Sequence, residues 1–343
     1  MELSTNKGPV REKSGRSIDF GFLGPLVMVA VIMGARYLFP DKLAFFTEAS
    51  IYAIYVMGNN ILMGYLGYVS FGQPFYLSTG AYAAAIYFAY LGNSPIVAIL
   101  LAVAVGLALS AVFGPIFMRL KGNYYTLVNA ALCAIGLFTY EKLLIGVTNG
   151  NDGLWFRARI AKMPFLDVRL TSNLFLMVCV ILALLLFLYR WMDKSALGAV
   201  FRATKINSRK AKFLGYNPYA VRIIGFTLAT VLSTIAGALF AINYGFVNPN
   251  LGENSRSIEV LIATLLGGVG SVYGPVFGAF GFLGIKDIVS RFMSRWEFAV
   301  GIITILVLFF FSKGIWGFIR LIGKGVTEKL FRKKTAGSIG KEK

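Results

Sequence analysis

The sequence predicts an all-α polytopic membrane protein, with about ten membrane-spanning or membrane-dipping helices and two Gly-rich broken segments. Three observations carry that prediction. Hydrophobic residues make up 57% of the 343 residues, and the mean hydropathy is +0.71. Charged residues are only 14%, where a soluble domain has about a quarter. The apolar runs are each near the ~20 residues that a bilayer-crossing helix requires.

In chain order the expected spans are 19–39, 44–66, 69–91, 95–118, 124–146, 173–192, 220–243, 257–270, 272–290 and 297–319. Residues 1–18 are polar and basic, and no small-residue cleavage site follows the first apolar run. That run therefore reads as an anchor rather than a signal peptide. Lys7, Arg11, Lys13 and Arg16 place the N-terminal tail in the cytoplasm, because cytoplasmic loops carry the excess of Lys and Arg. Arg119 and Lys121 mark the next inner turn. The 193–222 segment and the basic tail 320–343 are inside as well, so an even number of crossings satisfies the strong signals. The 147–172 loop fits the rule poorly, being expected outside yet carrying Arg157, Arg159, Lys162 and Arg169. Lys286, Arg291 and Arg295 fall outside under the same count. Within the permease domain, 19–319, two Gly-rich stretches echo one another: GYLGYVSFGQPFYLSTGAYAAA at 64–85 and GGVGSVYGPVFGAFG at 267–281.

The net charge of +19 concentrates in the N-terminal tail, the 193–222 segment and the C-terminal tail. Topology explains that distribution, and no nucleic-acid partner is expected. The 193–222 segment looks helical and stops at Gly215, with Pro218 just beyond. On a helical wheel Ala203, Ile206, Phe213 and Leu214 fall near one face, with Lys205, Arg209 and Lys212 on another and Lys210 as the exception. Such an ordered basic loop suits a soluble partner, and its docking set is Arg202, Lys205, Arg209, Lys210, Phe213, Leu214 and Gly215.

Backbone unwound at membrane depth survives only when buried in protein or facing a water-filled cavity. Residues 64–80, with Gly67, Ser70, Gly72 and Pro74, and residues 267–278, with Gly268, Gly270, Ser271 and Pro275, invite unwinding. Broken helices are how transporters present backbone groups to polar solutes; close packing of small residues is the plainer use. Both clusters lie beside polar Asn59, Asn60 and Gln73, which favours a pathway lining. Asn129 and the acidic Glu259 complete the expected path residues, Glu259 as an ionisable group near the start of a short span.

Absent motifs narrow the chemistry. No GxxxxGK[ST], HExxH or GxSxG occurs, so neither nucleotide hydrolysis through a phosphate loop nor those hydrolase mechanisms are expected. With no His, and with Cys133 and Cys179 isolated in apolar runs, no imidazole–thiolate metal site is expected either. The two cysteines read as small packing residues.

From about Asn59 to Gly317 the chain resembles the permease subunits of high-affinity branched-chain amino acid ABC importers, the larger of the two paired permeases. The resemblance rests on GNNILMGYLGYVSFGQ (58–73) with GAY (80–82), RLKGNYY (119–125) and TNGNDGL (148–154). It continues through RATKINSRKAKFLGYN (202–217), LSTIAGALFAINYGFVNP (232–249) and LLGGVGSVYGPVFGA (265–279). The resemblance implies a second homologous permease, two ATP-binding cassette ATPase subunits and an extracytoplasmic solute-binding protein. ATP sits on the partner subunits, with no cofactor in this chain. It implies that 193–222 is the ATPase-docking loop and that the membrane is the bacterial or archaeal cytoplasmic membrane. The solute is then Leu, Ile or Val, with urea, short amides or nucleosides as alternatives carried by related permeases. Three departures stand out: Ile206, Ser208 and Lys212 where the family's loop has acidic residues, Gln73 where it tends to have His, and Asn129 where an acidic residue is expected. A stand-alone channel or secondary transporter is the alternative of another class.

Overall fold

The computed structural model describes residues 23–120, 122–160, 168, 170–292, 298–299, 301–302, 305–306 and 314–320. Both basic tails (residues 1–18 and those after Arg320), most of the 297–319 span, Lys121, Lys162, Arg169 and Arg295 lie outside the described residues.

The chain opens with α1 (Gly24–Leu38), started by Pro25, and α2 (Leu43–Asn60), which runs on as a π-helical turn to Leu66. After a non-helical stretch come α3 (Gln73–Ile86), again with a π turn to Leu91, and α4 (Pro95–Phe117). Next are α5 (Asn123–Phe138), ending in a π turn, and the one-turn α6 (Ile145–Thr148). Then follow α7 (Thr171–Lys194), α8 (Ala196–Ile206), α9 (Ser208–Phe213), α10 (Pro218–Tyr244), α11 (Ser255–Gly267) and α12 (Gly274–Phe292). The helix limits track the expected spans closely. By length and hydropathy, α4, α7 and α10 each suffice to cross a membrane; α5 with α6, bent by 77°, makes a fourth if counted as one span. The structure thus fits an all-α membrane protein, with three of the described helices, or four with the bent pair, long and apolar enough to cross.

The long helix α10 is the hub, packed along α3, α4 and α2. Opposite it, α4 buries Ala98, Ala102, Gly106, Ser110 and Gly114, one small residue per turn. This stripe lets the two backbones approach closely, as membrane helices do. The other faces of α4 and α7 present Leu100, Leu107, Val180 and Leu184, each about half exposed or more. Large side chains exposed in that number suit lipid, whereas water would drive them together.

α11 and α12 form an antiparallel hairpin. Gly278 lies against Ala263 and Gly267 against Gly274, so side chains are stripped away where the arms cross. With 13 residues, α11 is about 20 Å long, too short to cross ~30 Å of hydrocarbon alone.

A two-residue ribbon joins the loops at the far end of α10, β1 (Leu154–Trp155) pairing antiparallel with β2 (Phe246–Val247). This end is opposite to the one bearing α8 and α9. Two of the misfit cations find a use here. Arg157 donates to Asn243 O at the end of α10 and Arg159 to Ala89 O at the end of α3. Cations at helix C-termini satisfy the last carbonyls and the dipole together. Among the others, Lys286 pairs with Glu259 and Arg291 with Asp287.

Candidate functional site

The two Gly-rich segments are broken, but over narrower stretches than the composition indicates: residues 67–72 between α2 and α3, and 268–273 between α11 and α12. Each is followed by a helix whose first or second residue is proline, Pro74 or Pro275. Proline lacks the N–H that a first turn leaves unused, so both helices restart immediately. The echo seen in the sequence corresponds to this shared break-and-restart shape.

The first break begins at Gly67, whose φ of 79° closes the α2 extension in the left-handed conformation that glycine adopts without penalty. Its freed carbonyls are met from neighbouring helices. Thr126 Oγ1 of α5 donates to Val69 O at 2.9 Å, while Ser257 Oγ of α11 and Cys133 Sγ of α5 reach Phe71 O at 2.5 and 3.3 Å. Ser70, fully buried, accepts from Gly72 N–H at 3.4 Å. Asn129 backs this break. Its Nδ2 bonds Tyr125 O at 3.1 Å, and a Cβ on Gly72 would come within 3.0 Å of its Cγ. Cys133 and Cys179 are buried and unbridged, and Cys133 helps to satisfy the break besides packing.

At the second break one amide side chain meets two backbone groups. Asn60 Oδ1 accepts from Gly270 N–H at 2.8 Å, and its Nδ2 donates to Ser271 O at 3.0 Å and to Tyr189 OH at 2.7 Å. The amide orientation follows from the pattern, since Gly270 can only donate and Ser271 O only accept. Gly270, at φ 74°, sits against Gly64. Ser271 Oγ spans the gap, donating to Gly268 O at 2.7 Å and accepting from Gly274 N–H at 3.0 Å. From α7, Arg190 donates to Tyr273 OH at 2.7 Å.

Between the breaks lies a layer of fully buried polar side chains. Asn59 donates to Thr264 Oγ1 at 2.7 Å, and the Gln73 amide meets Ser233 Oγ at 2.6 Å. Among the described residues, the remaining amide atoms, Asn59 Oδ1 and Gln73 Nε2, have no partner. Two clefts flank this layer without sharing a lining residue. One, of about 1020 Å³ with its open mouth, lies on the α8–α9 face beside Gly67, Tyr68, Lys205 and Arg222. The other, of about 480 Å³ with its mouth, lies towards the opposite face, beside Glu48, Tyr55, Arg256 and Glu259. Ten of the eleven expected path residues are therefore at or beside the breaks. Glu259 stands apart in the second cleft, paired with Lys286 at 3.1 Å.

The 193–222 segment departs from a single helix. Asn207 interrupts it, its Oδ1 accepting from Arg209 N–H and Lys210 N–H at 3.0 Å each, which caps α9. A side chain that bonds its own backbone in this way competes with helix continuation. The stop at Gly215 holds, with φ 87°, and Asn217 caps α10. Ile206, Phe213 and Leu214 are 85%, 90% and 74% exposed, beside exposed Arg209, Lys210 and Lys212. Arg202 instead pairs with Asp193 and lies over the Tyr65 ring. Lys205, also exposed, lies across the end of α2: its Nζ donates to Gly64 O at 2.8 Å and Met63 O at 3.3 Å, and its stem covers Gly67. It binds the carbonyls that the end of α2 leaves open. Desolvation lowers its pKa from the ordinary 10.5.

The family model for the branched-chain amino acid transport system permease component matches residues 43–311. The chain belongs to that family. It is 22% identical, over 298 residues, to the high-affinity branched-chain amino acid transport system permease protein LivM of Salmonella typhimurium and of Escherichia coli, covering 78% of this chain and 68% of either relative. It is 29% identical over 237 residues to the autoinducer 2 import system permease protein LsrC of Yersinia pestis, covering 62% of this chain and 66% of that one. No solved structure gives a significant match. The matched region contains both breaks, both clefts and the α8–α9 segment.

Proposed function

We propose that this chain is the membrane-embedded permease subunit of an ATP-driven importer in a bacterial or archaeal cytoplasmic membrane. It passes a small polar solute inward by alternating access. The observation that carries this reading is the pair of separate clefts on opposite faces, divided by hydrogen-bonded helix breaks. A gate of that kind opens to one side at a time, and its two facings shift only as far as ligands bind them differentially. The drive comes from outside the chain: two ATPase subunits, one of them docked on Ile206, Arg209, Lys210, Phe213 and Leu214, with Gly215 ending the platform. Lys205 links that platform to the end of α2, so movement of α8 is felt at Gly64, directly against Gly270 of the second break. A second permease and an extracytoplasmic binding protein complete the assembly.

Branched-chain amino acids are the solute favoured by the family match. The LsrC relatives support import of autoinducer 2 as a second reading. Reconstitution tests the mechanism. Liposomes with the full assembly should accumulate solute only with ATP inside, and R209E/K210E should uncouple hydrolysis from uptake. Flux through this chain alone, without ATPase, would establish a channel or secondary transporter instead.

A further inference from the structure

Membrane topology accounts for the cations of the α8–α9 platform but leaves two of its features unexplained. Residues 194–217 carry six Lys and Arg and no Asp or Glu. Orientation is set by Lys and Arg, with Asp and Glu contributing little, so topology gives no reason to leave carboxylates out. The second feature is apolar: Ile206, Phe213 and Leu214 all stand exposed on the same short segment. Two of the cations are tied to the body of the protein, Arg202 through Asp193 and Lys205 through the end of α2. The side chains of Arg209, Lys210 and Lys212 have no partner among the described residues. On α9, Ala211 is buried and Ser208 half-buried, while the other four residues are exposed. Phe213 follows Arg209 by four positions and Lys210 by three, so these two cations flank it on the helix surface. Lys212 adjoins it in the chain.

We infer that this patch is a plug for an apolar pocket rimmed with carboxylates on the ATPase that docks here. Phe213 enters the pocket, and Arg209, Lys210 and Lys212 face the rim. The inference rests on the docking reading above and adds the chemistry of the partner's surface. Charge sign then filters which ATPase this chain accepts, because a basic rim would set like charges against one another. A central aromatic anchor, surrounded by groups that keep water out, is the usual make-up of a protein contact. An anionic lipid surface fits less well. A helix lying on a bilayer presents a continuous apolar face, whereas α9 presents one aromatic with cations around it.

The test uses the complete permease pair in phosphatidylcholine nanodiscs, titrated with the ATPase that co-purifies with it. Binding is read from a fluorophore on Tyr216→Cys, so that this permease's own face reports. The dissociation constant should rise at least about tenfold between about 50 and about 500 mM salt, as screening shortens the reach of the charges. R209E/K210E/K212E should raise it at least about thirtyfold at low salt. F213A should raise it about tenfold and keep the salt dependence. A carbodiimide, which joins amines to carboxylates without a spacer, should link Lys210 or Lys212 to Asp or Glu of the ATPase. Binding that F213A weakens, but that neither salt nor the triple reversal changes, would overturn the acidic rim and leave the docking reading standing. Binding indifferent to F213A and to the triple reversal would remove the docking reading, and the inference with it. Protection of both lysines from acetylation in phosphatidylglycerol discs, with no further protection on adding the ATPase, would give the patch to lipid and overturn the inference.

Discussion

Replacing Asn60 with leucine, which has nearly the same shape, removes three hydrogen bonds and adds no bulk to the second break. Gly270 N–H and Ser271 O then lose the partner the structure shows for each. An orphaned buried group costs about 1–3 kcal/mol, so N60L should destabilise the permease by about 3 kcal/mol. Tyr189→Phe removes only one of the three bonds and leaves both backbone groups satisfied, so about 1 kcal/mol is expected. The two changes share a contact, and the double variant should therefore cost less than the sum, by about 1 kcal/mol. Reversible SDS unfolding of the purified permease in mixed micelles gives these values. A loss below about 0.5 kcal/mol for N60L, or strict additivity with Y189F, would show that the break is held by something other than this amide.

Four further outcomes follow from the same geometry. K205M keeps the stem over Gly67 but removes the ammonium from Gly64 O, and should lower solute moved per ATP while leaving ATPase binding intact; co-purification and uptake measured together check both. Rising pH should have the same effect in wild type. Because desolvation lowers the Lys205 pKa, the ammonium is lost below 10.5 and coupling should decline there. Stability should not decline with it: the unfolded chain binds more protons in that window, so this residue's contribution rises with pH. Gly270→Ala places a side chain at φ 74°, which costs about 1–2 kcal/mol, and transport should fall with stability in the same unfolding assay. F213A, at a 90% exposed position, should leave stability within about 0.5 kcal/mol but weaken ATPase association in pull-downs.

The helical plan was readable because hydrophobic run length and Gly–Pro punctuation are local signals. The expected starts at 44, 95, 173 and 220 fall within two residues of the helix starts at Leu43, Pro95, Thr171 and Pro218, and Pro74 and Pro275 restart helices after each break. The partners of the breaks were not readable. Nothing local to Tyr189, Ser233, Ser257 or Thr264 says that each meets a break or its neighbouring amide, since those contacts join residues more than a hundred positions apart. A helical wheel groups Lys205 with Arg209 and Lys212 because it assumes one continuous helix. Asn207 breaks that helix, and Lys205 instead donates to the open carbonyls at the end of α2. Glu48, Tyr52, Tyr55 and Asn59 share one face of α2 by their spacing, whereas the pairing of Glu259 with Lys286 arises only through the folding of the α11–α12 hairpin.

Site-specific cross-linking from position 213 tests the account most directly. With F213C in intact membranes, a short maleimide cross-linker should join this chain to a nucleotide-hydrolysing subunit, the yield should change on adding ATP, and an impermeant maleimide outside intact cells should not react there. Labelling of that position from outside, or the absence of any hydrolase among the products, would contradict the view that this basic platform couples the gate to its motor.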